Sequence, residues 1–136
     1  QVHNPQPQRE VIFLGWLMAD NVMGYAKASR FYKVRAVCQV GMGPATRTAS
    51  DRLRQKLKLG PEVQVFTLQG GFDIRRLHGP YKWIMQVKCR EIRRNLESKE
   101  SLTPAQQLTY DMAAKGASAV KQENLTEIVN WYKTTL

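Results

Sequence analysis

The longest uninterrupted apolar stretch of the chain, Val-Ile-Phe-Leu-Gly-Trp-Leu-Met at residues 11–18, constrains the fold most strongly. It is much shorter than the roughly eighteen residues that a helix needs to cross a bilayer, so we expect it to be buried inside the protein. Its β-branched and aromatic beginning favours a strand over residues 10–18. We therefore predict a core that contains at least one fully buried strand.

Two further segments alternate between apolar and polar side chains, which is typical of half-buried strands. Residues 30–40 place Lys33 and Arg35 opposite an apolar face made of Tyr32, Val34, Ala36, Cys38 and Val40. Residues 82–92 place Lys82, Lys88 and Arg90 opposite Trp83, Met85, Val87 and Cys89. With residues 63–69 as the third strand, four strands are predicted, and Tyr32 and Trp83 are expected to pack in the core.

Capping patterns predict three helices between and after these strands. The run Thr48-Ala49-Ser50-Asp51 predicts the start of a short basic helix that ends at Gly60-Pro61. The run Thr103-Pro104-Ala105-Gln106 is a capping box with proline at the first helical position, and Asn124 predicts the start of a last helix. Both C-terminal helices carry apolar stripes at helical spacing, so we expect them to cover the sheet.

The predicted fold is α+β. It has a mainly antiparallel four-stranded sheet, one short basic helix between strands 2 and 3, and two C-terminal helices packed on one face. A chain of 136 residues with 43% hydrophobic composition can bury one core, so residues 10–136 are predicted to be a single domain. Residues 1–9 are polar and contain two prolines, which predicts a disordered tail.

Two cysteines, Cys38 and Cys89, are far apart and lie within strand-like segments. Buried free thiols are ordinary core residues, and two cysteines do not make a disulfide scaffold at this length, so a reducing compartment is expected. We predict an intracellular protein, either cytoplasmic or nuclear. Because the chain begins at Gln1 rather than Met, a lost targeting signal, and with it a longer parent protein, stays open.

The positive charge of the chain is concentrated in its middle. The formal net charge is +10, but residues 25–99 carry seventeen Lys and Arg against five Asp and Glu, and each flank is slightly acidic. Such a local excess attracts phosphate-bearing partners and accelerates association. We therefore expect the middle segment to bind a polyanion.

The leading hypothesis is a non-enzymatic domain that binds the phosphates of a nucleic acid. RNA or nucleoprotein is the favoured partner. Arg52 and Lys56 lie four residues apart on the basic helix, as do Arg54 and Lys58, and like charges at this spacing repel unless an anion lies against them. Tyr81 is expected to be exposed for stacking on a base. The predicted binding residues are Lys33, Arg35, Arg47, Arg52, Arg54, Lys56, Lys58, Tyr81, Lys82, Lys88 and Arg90.

Two other functional classes stay open. One is a matrix-type structural protein, of the kind found in viruses, which self-associates into homo-oligomers and binds anionic membrane surfaces through the same cations. The other is a small hydrolase or nuclease with His78 as its general base. No elbow around a serine, paired carboxylate or cofactor motif accompanies His78, so an enzyme and a cofactor are not expected.

The turn Gly41-Met42-Gly43-Pro44 stands between a predicted strand and a predicted helix, which is where phosphate cradles are built. The third glycine of a dinucleotide fingerprint is missing, and Pro44 removes one amide donor. We therefore interpret this turn as a structural loop. No histidine and cysteine spacing indicates a metal site.

Overall fold

The computed structural model describes residues 9–18 and 20–135. The predicted tail lies outside the described residues except for Arg9. The chain forms two compact units, the first made of residues up to 41 with residues 45–68, and the second of residues 42–44 with residues 69–136. The single domain expected for residues 10–136 stays a prediction.

The first unit is built on a four-stranded mixed sheet with strand order β2-β1-β3-β4. Strands β1 and β2 form its antiparallel pair, and the other neighbours are parallel. Its elements in chain order are β1 (Glu10–Met18), β2 (Asn21–Val22), α1 (Tyr25–Phe31), β3 (Lys33–Gly41), α2 (Arg47–Lys56) and β4 (Gln64–Gln69).

The predicted antiparallel arrangement of this sheet is wrong. Strands β1 and β3 run parallel, from Glu10 opposite Lys33 to Trp16 opposite Val40. Parallel neighbours need a long connection that crosses back to the starting end of the sheet. The segment with α1 joins β1 to β3, and the segment with α2 joins β3 to β4. The alternation of a strand cannot report these directions, because it shows only which side chains share a face.

Strand β3 is buried on both faces, which corrects the prediction of a half-buried strand. Ala36, Val37 and Cys38 are fully buried although they follow one another along the strand, and Gln39 is buried beside them. The strand lies between β1 and β4 in a parallel arrangement, where both faces are commonly covered. A register shift between Val11 and Ile12 of β1 interrupts the alternation at the same level.

The core of the first unit lies between α2 and the sheet. Leu53 is the buried side chain of α2 and belongs to one cluster with Val22, Val37 and Val63. Phe13 of β1 and Tyr25 of α1 meet edge to face at the margin of this cluster, with ring centroids 5.7 Å apart. A Cβ atom added at Gly15 would lie 2.5 Å from Val22 Cγ1, so only glycine lets β1 approach β2 this closely.

The second unit contains three helices and a small antiparallel sheet. Helix α4 packs against α3, and strand β5 pairs with β6. Its elements are β5 (Gly71–Phe72), a 3₁₀ turn (Ile74–Arg76), α3 (Pro80–Glu97), α4 (Pro104–Ala114), β6 (Ala117–Ser118), a second 3₁₀ turn (Gln122–Leu125) and α5 (Thr126–Thr135).

The predicted fourth strand is wrong, because residues 82–92 belong to helix α3. Met85, Cys89, Ile92 and Leu96 follow one another at spacings of four, three and four, and all are at least half-buried, so they form the inner stripe of a helix. Over a short window this stripe resembles alternation, since residues 85 and 89 satisfy both periods. Pro80 at the first helical position also favours the helix.

The predicted helix starts are partly confirmed. The Thr103 hydroxyl accepts a hydrogen bond from the Gln106 amide while the Gln106 side chain accepts from the Thr103 amide, which is the expected capping box. Helix α2 is capped by Thr46 rather than Thr48, because the Thr46 hydroxyl accepts from the Ala49 amide. Asn124 lies inside a 3₁₀ turn, where its side-chain amide donates to the Ala119 carbonyl.

Candidate nucleic-acid interface

The exposed side of α2 carries a group of neighbouring cations. Arg47, Arg52 and Lys56 are all exposed there, with Asp51 as the acid among them. Lys58 follows the helix in the left-handed region at φ 51°, which turns the chain away from the helix axis. We call Arg47, Arg52, Lys56 and Lys58 the α2 cations. Their exposure is what a set of phosphate contacts requires.

Within the described residues, these cations meet little opposing charge. Lys56 lies 3.9 Å from Asp20, whose carboxylate is well exposed, so water screens this pair. No ion pair occurs there for Arg47, Arg52 or Lys58. The first unit as a whole carries ten Lys and Arg against four Asp and Glu. An anion bound at α2 would therefore meet a positive field from the entire unit.

Arg54 is a structural residue, although the sequence places it among the binding candidates. Its guanidinium donates to the Gly60 carbonyl at 2.7 Å and to the Val63 carbonyl at 2.8 Å. These two bonds hold the loop that leads from α2 into β4. A planar guanidinium fits two such carbonyls with fixed geometry, so Arg54 is occupied by the fold.

Lys33 and Arg35 share one carboxylate at the beginning of β3. Glu10 Oε1 lies 3.0 Å from Lys33 Nζ and 3.3 Å from Arg35 Nη1. The hydrogen bond from Lys33, with the charge of Arg35, lowers the pKa of the Glu10 carboxyl below its ordinary value. Two of the candidate cations are thus partly neutralised by the neighbouring strand.

The remaining candidates, Tyr81, Lys82, Lys88 and Arg90, lie on helix α3 of the second unit. Lys88 pairs with Glu91 at 3.3 Å, an exposed pair of the kind that contributes little to stability. Within the part of the chain that the structure describes, Lys82 and Arg90 have no ion pair. The sequence assigned Lys82, Lys88 and Arg90 to the fourth strand, and this placement is wrong.

The exposed aromatic side chains include two that the sequence assigned to the core. Tyr81 is exposed as predicted, at 52% of its surface. Trp83 is exposed at 77%, and Tyr32, which follows α1, is also exposed, so the prediction that both pack in the core is wrong. Ile84 and Val87 are exposed beside Trp83 on α3. The stripe that buries Met85 and Cys89 could have revealed this outer face, had the segment been treated as a helix.

Residues 42–44, in the turn between β3 and α2, belong to the second unit and are hydrogen-bonded to other residues of that unit. The Met42 carbonyl accepts hydrogen bonds from the Thr109 hydroxyl at 2.8 Å and from the Gln69 side-chain amide at 3.0 Å. Gln69 Nε2 also lies 2.9 Å from the Ala105 carbonyl, which it can bond as well. These bonds account for the position of the turn and agree with its interpretation as a structural loop.

Comparison with protein-family models, with curated proteins and with solved structures finds no match to this chain. Among the described residues, no helix is both long and apolar enough to cross a membrane. No group of three or more His, Cys, Asp and Glu side chains gathers there in a way that could hold a metal ion. His78 is exposed in the segment before α3.

Both cysteines are free and buried, as predicted. Cys38 lies on the central strand β3 and is fully buried, and this desolvation raises the pKa of its thiol from 9.0 to about 11. Burial also raises the pKa of the Cys89 thiol, against a smaller opposite effect of Arg93. The nucleophilic thiolate is therefore disfavoured at both positions at neutral pH.

We expect the Cys38 thiol to make the fold sensitive to alkaline pH. Because its pKa is higher in the folded than in the unfolded chain, its contribution to the free energy of unfolding is complete below pH 9 and is lost as the pH rises toward about 11. The measurement is urea unfolding of the wild type and of Cys38→Ala between pH 8 and pH 11. The difference between the two proteins removes the contribution of the other titrating groups. The stability difference between the two proteins should shrink with rising pH. A constant difference would contradict the role of this thiol.

Proposed function

We propose that this chain binds nucleic acid through phosphate contacts from the α2 cations. RNA is the favoured partner, and the binding has little sequence preference. The observation that carries the proposal is the exposed side of α2, where Arg47, Arg52 and Lys56 stand beside Asp51, the one acid of the helix, and Lys56 has a long, exposed pair with Asp20. Phosphate contacts position a protein on a nucleic acid without reading its bases. We therefore expect the protein to contact the sugar-phosphate backbone, and we expect the base sequence of the nucleic acid to have little effect on affinity.

The arrangement on α2 favours an anion over bare solvent. Arg52 and Lys56 lie one helical turn apart, where like charges destabilise a helix by about 0.2–0.5 kcal/mol. A phosphate between them relieves this repulsion and releases the counterions condensed on the nucleic acid. Both effects are electrostatic, so the affinity should fall steeply with salt concentration.

Reversing two of these charges tests the proposal. In Arg52→Glu/Lys56→Glu we expect the affinity for single-stranded RNA to fall roughly 10- to 100-fold, alike for mixed, purine-rich and pyrimidine-rich oligonucleotides. The slope of log affinity against log salt should become shallower by about 1.4, because two phosphate contacts are lost and each contributes about 0.7 on a single strand. Fluorescence anisotropy titrations at several salt concentrations measure both quantities.

The matched control is Lys121→Glu/Lys133→Glu, which makes the same change in net charge at exposed positions of the second unit. It should lower the affinity by a small factor and leave the salt slope near the wild-type value. If both double variants weaken RNA binding equally, net charge rather than α2 attracts the RNA. If Arg52→Glu/Lys56→Glu binds with an unchanged slope, the site does not lie on α2.

A further inference from the structure

Helix α3 exposes a cluster of large apolar side chains that the nucleic-acid proposal does not use. Trp83, Ile84 and Val87 are 77%, 55% and 63% exposed. Trp83 and Val87 lie one turn apart, and Ile84 lies three residues before Val87, so the three side chains share one face of the helix. We call them the Trp83 patch. Single exposed apolar residues are common, but a contiguous group with a polar rim marks an interaction surface.

The inner face of α3 shows that this exposure is not a consequence of loose packing. Cys89 is buried and Met85 and Ile92 are half-buried on the side that the apolar stripe defines. The helix therefore has a packed side and, along its first turns, a second apolar side directed away from it. Phosphate contacts do not account for the aliphatic side chains of Ile84 and Val87, because they offer neither charge nor a flat ring for stacking.

Cations border the Trp83 patch toward the C-terminal end of α3. Arg90 and Arg94 follow Val87 by three and seven residues, and Lys88 follows Ile84 by four, so all three lie next to the patch. Glu91 lies on the same side and pairs with Lys88. Arg90 and Arg94 have no ion pair within the described residues. The helix carries five Lys and Arg against two Glu.

This combination fits the surface of an anionic phospholipid bilayer. Trp and aliphatic side chains insert at the boundary between head groups and acyl chains, while Lys and Arg contact the negative head groups. A second copy of the chain fits less well. A twofold arrangement would bury the same face of both copies, so each copy would bring the net positive charge of Lys88, Arg90 and Arg94 with Glu91 into the interface. The charge of this face thus complements lipid head groups and opposes self-association.

We propose that the Trp83 patch inserts into the interface of an anionic membrane, with Arg90 and Arg94 on the lipid head groups. The site lies wholly in the second unit and shares no residue with the α2 cations. Each cation close to such a surface contributes about fivefold in affinity, and the apolar side chains add to it. The protein would then lie on the membrane surface along α3, which does not need to cross the bilayer.

Vesicle flotation with the full chain tests this proposal. We expect the wild type to float with vesicles of phosphatidylserine and phosphatidylcholine and not with phosphatidylcholine alone. Trp83→Ser/Val87→Ser should reduce the bound fraction about tenfold or more, and Arg90→Glu/Arg94→Glu should do the same at low salt. Trp16→Ser is the matched control, because Trp16 is also an exposed tryptophan, at 56%, but lies on β1. It should float like the wild type.

Two further measurements keep the outcomes distinct. Lipids brominated along the acyl chain should quench the fluorescence of the wild type and much less that of Trp83→Phe. Arg52→Glu/Lys56→Glu should float normally, so that loss of RNA binding and loss of membrane binding are separable. Equal flotation with neutral vesicles, or flotation unaffected by Trp83→Ser/Val87→Ser, overturns the proposal. If Trp83→Ser/Val87→Ser lowers the molar mass measured by analytical ultracentrifugation and leaves vesicle binding unchanged, the patch binds a second copy of the chain instead.

Discussion

Met112→Ala should lower the free energy of unfolding by about 2–5 kcal/mol, the largest effect that we expect from one substitution in this chain. Met112 is fully buried on α4 and is one of the largest side chains without any exposed surface. Shortening it to alanine removes apolar atoms from the interior and leaves a cavity that the surrounding helices fill only in part. Urea denaturation followed by circular dichroism measures the change.

Met23→Ala is the matched control, since Met23 is 39% exposed in the turn after β2. Its effect should stay within about 0.5 kcal/mol, as is usual for surface substitutions. If the two methionine variants unfold at the same urea concentration, Met112 does not occupy a tightly packed site. The capping box of α4 is remote from this change along the helix and should persist.

Gln69→Glu should destabilise the protein by about 2–4 kcal/mol at neutral pH. The side-chain amide of Gln69 faces the Met42 carbonyl, the Ala105 carbonyl and the Thr109 hydroxyl, all within 3.0 Å of Nε2. A carboxylate at this position offers no donor and places its charge against two carbonyl oxygens. The turn before α2 and the first turn of α4 would both lose a hydrogen bond.

This variant should recover part of its stability in acid. Two carbonyl oxygens raise the pKa of the introduced carboxyl in the folded state, so the penalty is present above that pKa and shrinks as the pH falls below it. The protonated carboxyl can donate one hydrogen bond again. Gln64→Glu, an exposed position on the same strand β4, is the control and should show neither effect. Equal stability loss in both variants at every pH would contradict the network around Gln69.

Local patterns in the sequence predicted several elements correctly. The apolar run at residues 11–18 is β1, the third predicted strand is β4, and the basic helix between strands is α2. The capping box at Thr103 marks the start of α4. These elements depend on short-range rules, namely side-chain periodicity, proline at the first helical turn and a hydroxyl at the cap, and all three can be read from neighbouring residues.

Residues 82–92 are a segment for which such rules gave the wrong prediction. Trp83, Met85, Val87 and Cys89 alternate well enough for a strand, yet the same residues lie on two different sides of α3. The period becomes evident only when Ile92 and Leu96 are included, because four positions cannot separate a repeat of 2 from one of 3.6. The strand prediction therefore gave no indication of the exposed apolar face on which the membrane proposal depends.

The candidate binding site divides in the same way. Composition and order determined that positive charge is concentrated between residues 25 and 99, and that Arg52 and Lys56 repel each other across one helical turn. Only the tertiary structure decided that Arg54 is occupied by two loop carbonyls and that Glu10 compensates Lys33 and Arg35. The physical reason is that charge and periodicity belong to single residues and their neighbours. Strand direction and the partner of each polar group depend on which distant segments come together.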